Sequence, residues 1–101
     1  MIKIKIKYID QKFASLKVSG HANSDEYGKD LVCAAVSATL TGGFNALRNP
    51  KDFKIILEEG NALLEANKII SDHDEVVIET IVTGLKSIEE NDPKFVKVIY
   101  E

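Results

Sequence analysis

The sequence has no tryptophan, one cysteine, two prolines and two histidines. A single cysteine excludes an intrachain disulfide framework, and a reducing compartment would keep its thiol free to react. With only two histidines, far apart at His21 and His73, the chain offers no zinc-ligand spacing, so no metal is expected. No glycine-rich loop precedes a Lys-Ser or Lys-Thr pair, which removes the phosphate-binding loop and leaves no expected cofactor. Apolar runs stay far below the roughly 20 residues that span a bilayer. The lysine-bearing N-terminus lacks the apolar block and small-residue cleavage site of a signal peptide, so a cytoplasmic protein is expected. A length of 101 residues leaves no room for a catalytic domain plus a separate binding domain, and one domain over residues 1–101 is expected.

What is present is ordinary for a globular protein: 45% hydrophobic and 29% charged residues, with a formal net charge of −3. A small domain buries a smaller fraction of its surface than a large one, so oligomerisation would help it. The negative balance argues against a general nucleic-acid binder, and direct nucleic-acid binding is not expected from it. The charge is unevenly spread, however. Lys3, Lys5, Lys7, Lys12 and Lys17 crowd the first strands, whereas Glu58, Glu59, Asp72, Asp74, Glu75, Glu89, Glu90 and Asp92 load the second half. A basic edge of this kind could meet RNA or an acidic partner, although a charge run is ordinarily a solvated face.

Ile2, Ile4 and Ile6 alternate with Lys3, Lys5 and Lys7, the period of a strand with one face on a core and one in water. Ile9-Asp10-Gln11-Lys12 reads as a turn, and Leu16 and Val18 resume the alternation up to Gly20, giving a hairpin. The polar stretch from Gly20 to Gly28 reads as a loop bracketed by permissive glycines, a composition found in lids. From Asp30 to Arg48 the pattern is helical and apolar around most of its circumference, which predicts burial on several sides. Gly42-Gly43 in its middle points to close packing against a neighbouring backbone or a partner. Phe53 to Glu59 and Asn61 to Asn67 read as a second hairpin turning at Gly60-Asn61. Ser71 with Asp74 fits an acidic N-terminal cap, followed by helical periodicity to Asn91 and, after Pro93, a last strand. The order ββαββαβ predicts an α+β fold: a mostly antiparallel sheet with two helices packed on one face.

The chemistry gathers at the first helix. With Asp30 as its cap, Cys33 would stand in the first turn, where free N–H groups and the helix dipole favour a thiolate. The same N–H groups could hold the oxyanion formed when that thiolate attacks a carbonyl. His21 lies twelve positions earlier, beyond the glycine-bracketed loop, and would reach Cys33 by loop folding as its general base. Asp30, Cys33, Ser37 and Thr41 recur at spacings of three and four, a polar stripe on an otherwise apolar helix. Each residue also has a bland reading: a small buried thiol, a helix cap, hydroxyls bonded back to the helix, a solvated histidine. His73, in the acidic start of the second helix, looks exposed.

Gly20-His21-Ala22, Tyr27-Gly28, Asp30, Val32-Cys33-Ala34-Ala35 and Ser37 together resemble the ribosomal-processing cysteine protease family, Prp. Chain length, element order and the acidic late helix before a short terminal strand are similar as well. The resemblance implies a cytoplasmic, homodimeric endopeptidase that removes the N-terminal extension of large-subunit ribosomal protein twenty-seven, cutting after an aromatic pair. It implies Cys33 as nucleophile and His21 as proton acceptor and donor, supported by Asp30 and Ser37, with Gly20 and Gly28 as hinges of a loop that closes over the peptide. The buried apolar flank of the first helix, with Phe44 from the same chain or its dimer mate, could receive the substrate aromatics. The competing reading is a non-catalytic ribosome-assembly or RNA-binding module that uses the lysine face or a strand edge, with Cys33 merely buried.

Overall fold

The structure is a computed structural model that describes residues 1–20 and 26–101, with the side chains of 26–30 outside the description. The chain runs β1 (Ile2–Ile9), β2 (Lys12–Ser19), α1 (Glu26–Asn45), a short 3-10 turn (Pro50–Asp52), β3 (Phe53–Glu58), β4 (Asn61–Ala66), α2 (Asp72–Asn91) and β5 (Val96–Tyr100). This is the expected ββαββαβ order. The five strands form one sheet ordered β3-β4-β2-β1-β5. Every pairing is antiparallel except β1 with β5, which is parallel because the α2 crossover carries the chain back to the sheet's far edge.

The sequence alternation in β1 becomes a two-faced strand: Ile2, Ile4 and Ile6 are buried and the lysines between them exposed. Its hairpin closes on a two-residue loop, Asp10-Gln11, with φ of 52° and 66°. Positive φ at both positions matches the right-handed twist of the flanking strands, and it is the turn type such short hairpins favour. A bulge between Lys7 and Tyr8 interrupts the ladder with β2, so that Lys7 pairs with Ser15 and Tyr8 with Phe13.

Both helices lie on the side of the sheet that carries Ile4, Ile6, Leu16 and Leu64, and their buried residues join these in one apolar cluster. From α1 come Val32, Val36, Leu40 and Phe44, a stripe at helical spacing; from α2 come Ile78, Ile81, Val82 and Leu85. The apolar circumference of α1 is therefore not buried on several sides. Leu31 is 73% exposed, and Ala34, Ala38 and Gly42 on the outward side are exposed too.

The two helices approach at Gly43, where an added Cβ would overlap the Ile81 side chain, and at Gly84, where it would come within 3.0 Å of Thr39. The neighbour that Gly43 accommodates is thus a side chain rather than a backbone, and Gly42 faces open space. At its start α2 is capped by Ser71, whose hydroxyl accepts from the Asp74 N–H at 3.2 Å. The Asp74 carboxylate is fully buried and accepts from the backbone N–H groups of Arg48 (2.9 Å) and Asn49 (3.1 Å). It pins the segment leaving α1 to the first turn of α2. His73 is half-buried rather than exposed, with its Nε2 3.1 Å from the Ala46 carbonyl oxygen.

Candidate active site

α1 begins at Glu26, four residues before Asp30, and this changes the expected chemistry. Asp30 is the fifth residue of the helix and not its cap, and Gly28 lies in the first turn rather than at the end of a loop. Cys33 is the eighth residue, beyond the positions whose amides a helix leaves free. Neither the helix dipole nor the first-turn N–H groups therefore act on its thiol, and the oxyanion donors expected there are absent from Cys33's own turn.

Cys33 is half-buried, its side chain packed against the edge of the core cluster and otherwise open to a groove. The groove holds about 390 Å³ and lies between the middle of α1 and one end of the sheet. Cys33, Ala34 and Ser37 form its helical side, with Ser37 one turn beyond Cys33 on the same face. Ile2, Val18, Val36 and Leu40 form an apolar floor. The opposite wall is the β3–β4 turn, Leu57 to Ala62, which brings Glu58 and Glu59 to the rim. Sequence reasoning missed this wall. No motif marks it, and only the pairing of Ser19 with Asn61 carries the turn to the end of β2.

Gly20 also lines the groove. Its N–H donates to the Gly60 carbonyl at 3.1 Å, extending the β2–β4 ladder by one rung. Its φ is 94°, and a Cβ there would sit 2.5 Å from the Met1 carbonyl oxygen. Only glycine fits that place. The residue that precedes His21 is thereby fixed beside the same groove as Cys33. His21 itself lies outside the described residues, as does the side chain of Asp30.

Thr41, the last member of the polar stripe, is exposed one turn past Ser37 and is not among the groove residues. Phe44 is 7% exposed, a core residue that cannot receive a substrate ring. Among the described residues no three His, Cys, Asp or Glu side chains gather as a metal site, and no helix is long and apolar enough to cross a membrane. The groove's volume is within the ~300–1,000 Å³ range of small-molecule and cofactor sites.

The model of the cysteine protease Prp family matches residues 1–97. The ribosomal processing cysteine protease Prp of Staphylococcus aureus is 28% identical over 106 aligned residues, covering all of both chains. The solved structure of the S. aureus essential ribosomal processing protease Prp with a covalently linked product peptide superposes with a TM-score of 0.86, at 28% identity over 100% of each chain. The same protease with a substrate peptide gives 0.79 at 25% identity, again over 100% of each chain. A single reactive residue type, one cysteine open to a groove, agrees with that kinship. The chain belongs to the cysteine protease Prp family and is a cysteine protease.

Proposed function

We propose that this protease removes the N-terminal extension of large-subunit ribosomal protein twenty-seven during ribosome maturation, cutting after an aromatic pair, in the cytoplasm and as a homodimer. The observation that carries the reading is the position of Cys33, the sole cysteine, in the wall of a groove that Gly20 also lines. The S. aureus relative is named for ribosomal processing and has been solved with both substrate and product peptides.

Cys33 acts as nucleophile and His21 as its general base. His21 takes the thiol proton, the thiolate attacks the scissile carbonyl, and His21 returns the proton to the leaving amine; water then hydrolyses the thioester. Because Cys33 stands in the body of α1, the activation of its thiol falls to His21. Ser37, on the same helix face, is placed to bond the peptide backbone along the groove, and Asp30 supports His21. Gly20 is the fixed hinge of the segment that carries His21; Gly28, being helical, serves as the near end of that segment's attachment to α1. The exposed apolar side of α1 around Leu31 and of α2 around Val76 supports the homodimer.

Iodoacetamide tests the pair directly. Rapid alkylation of Cys33 near neutral pH, slowed at least tenfold by His21→Ala, is the expected result. Sluggish alkylation that His21→Ala leaves unchanged would count against the base and the activated thiol together.

A further inference from the structure

The sheet has a second face, away from both helices and from the groove. Strand alternation puts Lys3, Lys5 and Lys7 of β1, Lys17 of β2 and Lys97 of β5 on it, and all five are exposed. Their register is unusual for a solvated face. Lys5 is directly opposite Lys17 in the antiparallel ladder, and Lys3 is the register partner of Lys97 in the parallel one. Like charges in direct cross-strand register are destabilising. None of the five is in an ion pair among the described residues, and the nearest acidic side chain by register is Glu65, opposite Ser15 on the same face and diagonal to Lys17. In a chain with more acidic than basic residues, five of the 13 basic side chains thus stand on three adjacent strands.

We infer that this face docks on the phosphate backbone of structured RNA. Residues two apart along a strand are separated by about 6.6–6.8 Å and neighbouring strands by about 4.8 Å, so the ammonium groups form a grid of point charges at the scale of successive backbone phosphates. The side chains interleaved with them are Ser15, Ser19 and Ile99, with no aromatic ring for base stacking and no arginine. Stacking platforms mark single-strand binders, whereas arginine's planar fork is a bidentate partner of carboxylates and phosphates alike and so distinguishes neither. Lysine point charges without an aromatic platform suit the phosphates of a duplex, read by charge and shape with no sequence preference. Net charge, averaged over the whole surface, does not register a local cluster of this kind. Docking by this face leaves Cys33 free, since the groove opens on the helix side of the sheet. The inference is independent of the assignment of substrate.

The test is fluorescence anisotropy of a labelled 20-base-pair RNA duplex with the full chain, from 50 to 200 mM salt. With four to five phosphates neutralised, affinity should fall roughly several-hundred-fold over that range. The triple variant Lys3→Gln, Lys5→Gln, Lys17→Gln should bind at least tenfold more weakly with a shallower salt slope, while Lys51→Gln, on the 3-10 turn outside the sheet, leaves binding intact. Both should keep wild-type unfolding midpoints or better and wild-type alkylation of Cys33, which separates lost docking from lost folding. Absence of salt-dependent binding at 50 mM, or a triple variant that binds like wild type, would overturn the inference. So would poly-glutamate displacing the duplex at equal charge, which would assign the face to an acidic protein segment.

Discussion

The carboxylate of Asp74 accepts the backbone N–H of Arg48 at 2.9 Å, joining the start of α2 to the segment that leaves α1. A second bond, from Asn49 at 3.1 Å, occupies the other oxygen, and the hydroxyl of Ser71 accepts the N–H of Asp74 itself. A fully buried carboxylate is tolerable here because both oxygens are bonded and α2's dipole favours negative charge in its first turn. Asp74→Ala strands two amides and should lower unfolding free energy by roughly 2–4 kcal/mol in urea titrations. Asp74→Asn, which keeps the shape and one acceptor, should lose less. No loss in Asp74→Asn beside a full loss in Asp74→Ala would show that packing rather than the paired bonds matters.

Adjacent glycines in α1 should respond oppositely. Gly43→Ala drives a methyl into Ile81 and should destabilise by about 1–3 kcal/mol, with partial rescue by Ile81→Val. Gly42→Ala meets nothing and should stabilise by up to about 1 kcal/mol through helix propensity. Thermal midpoints of the three variants check this. Destabilisation by Gly42→Ala would reveal a partner on that exposed side.

Lys17→Glu replaces the repulsion from Lys5 with an attractive cross-strand pair. It should raise stability by about 0.2–1 kcal/mol, a few degrees in midpoint for a domain of this size. The same change should weaken duplex RNA binding. Gain in one and loss in the other, from one side chain, would show that the lysine face is kept for docking at the expense of stability.

Partial burial pushes the Tyr8 phenol above its ordinary pKa of 10.0, helped by the negative charges of Tyr100, Glu75 and Glu79. The folded protein then holds this proton more tightly than the unfolded chain. Its contribution is intact below about pH 10 and is lost as pH rises through the higher folded value. Tyr8→Phe should therefore flatten the alkaline limb of stability against pH. An unchanged limb would place the titration elsewhere.

Much of the fold was legible because it is written locally. The β1 alternation, the Asp10-Gln11 turn, the Ser71 cap and the Pro93 break each depend on neighbours in sequence, and each is found where the pattern put it. The start of α1 was not legible, because Gly28 and the polar residues around it have a loop's composition. Its early start moves Cys33 out of the first turn, away from the free amides and the dipole expected to act on its thiol. The groove's far wall was equally hidden: Glu58 to Asn61 face Cys33 only through the strand order and the hydrogen bond of Gly20 to Gly60, both tertiary facts. Cys33 stood out as the lone thiol, but its opening to a groove belongs to the packing of α1 on the sheet.

The most direct test of the central claim is mass spectrometry of a precursor peptide spanning the aromatic pair of the ribosomal extension, incubated with wild type and with Cys33→Ala. Cleavage after the aromatic pair by wild type, and none by Cys33→Ala, is the predicted result. An intact peptide with wild type would contradict the assigned substrate, and cleavage by Cys33→Ala would contradict the nucleophile.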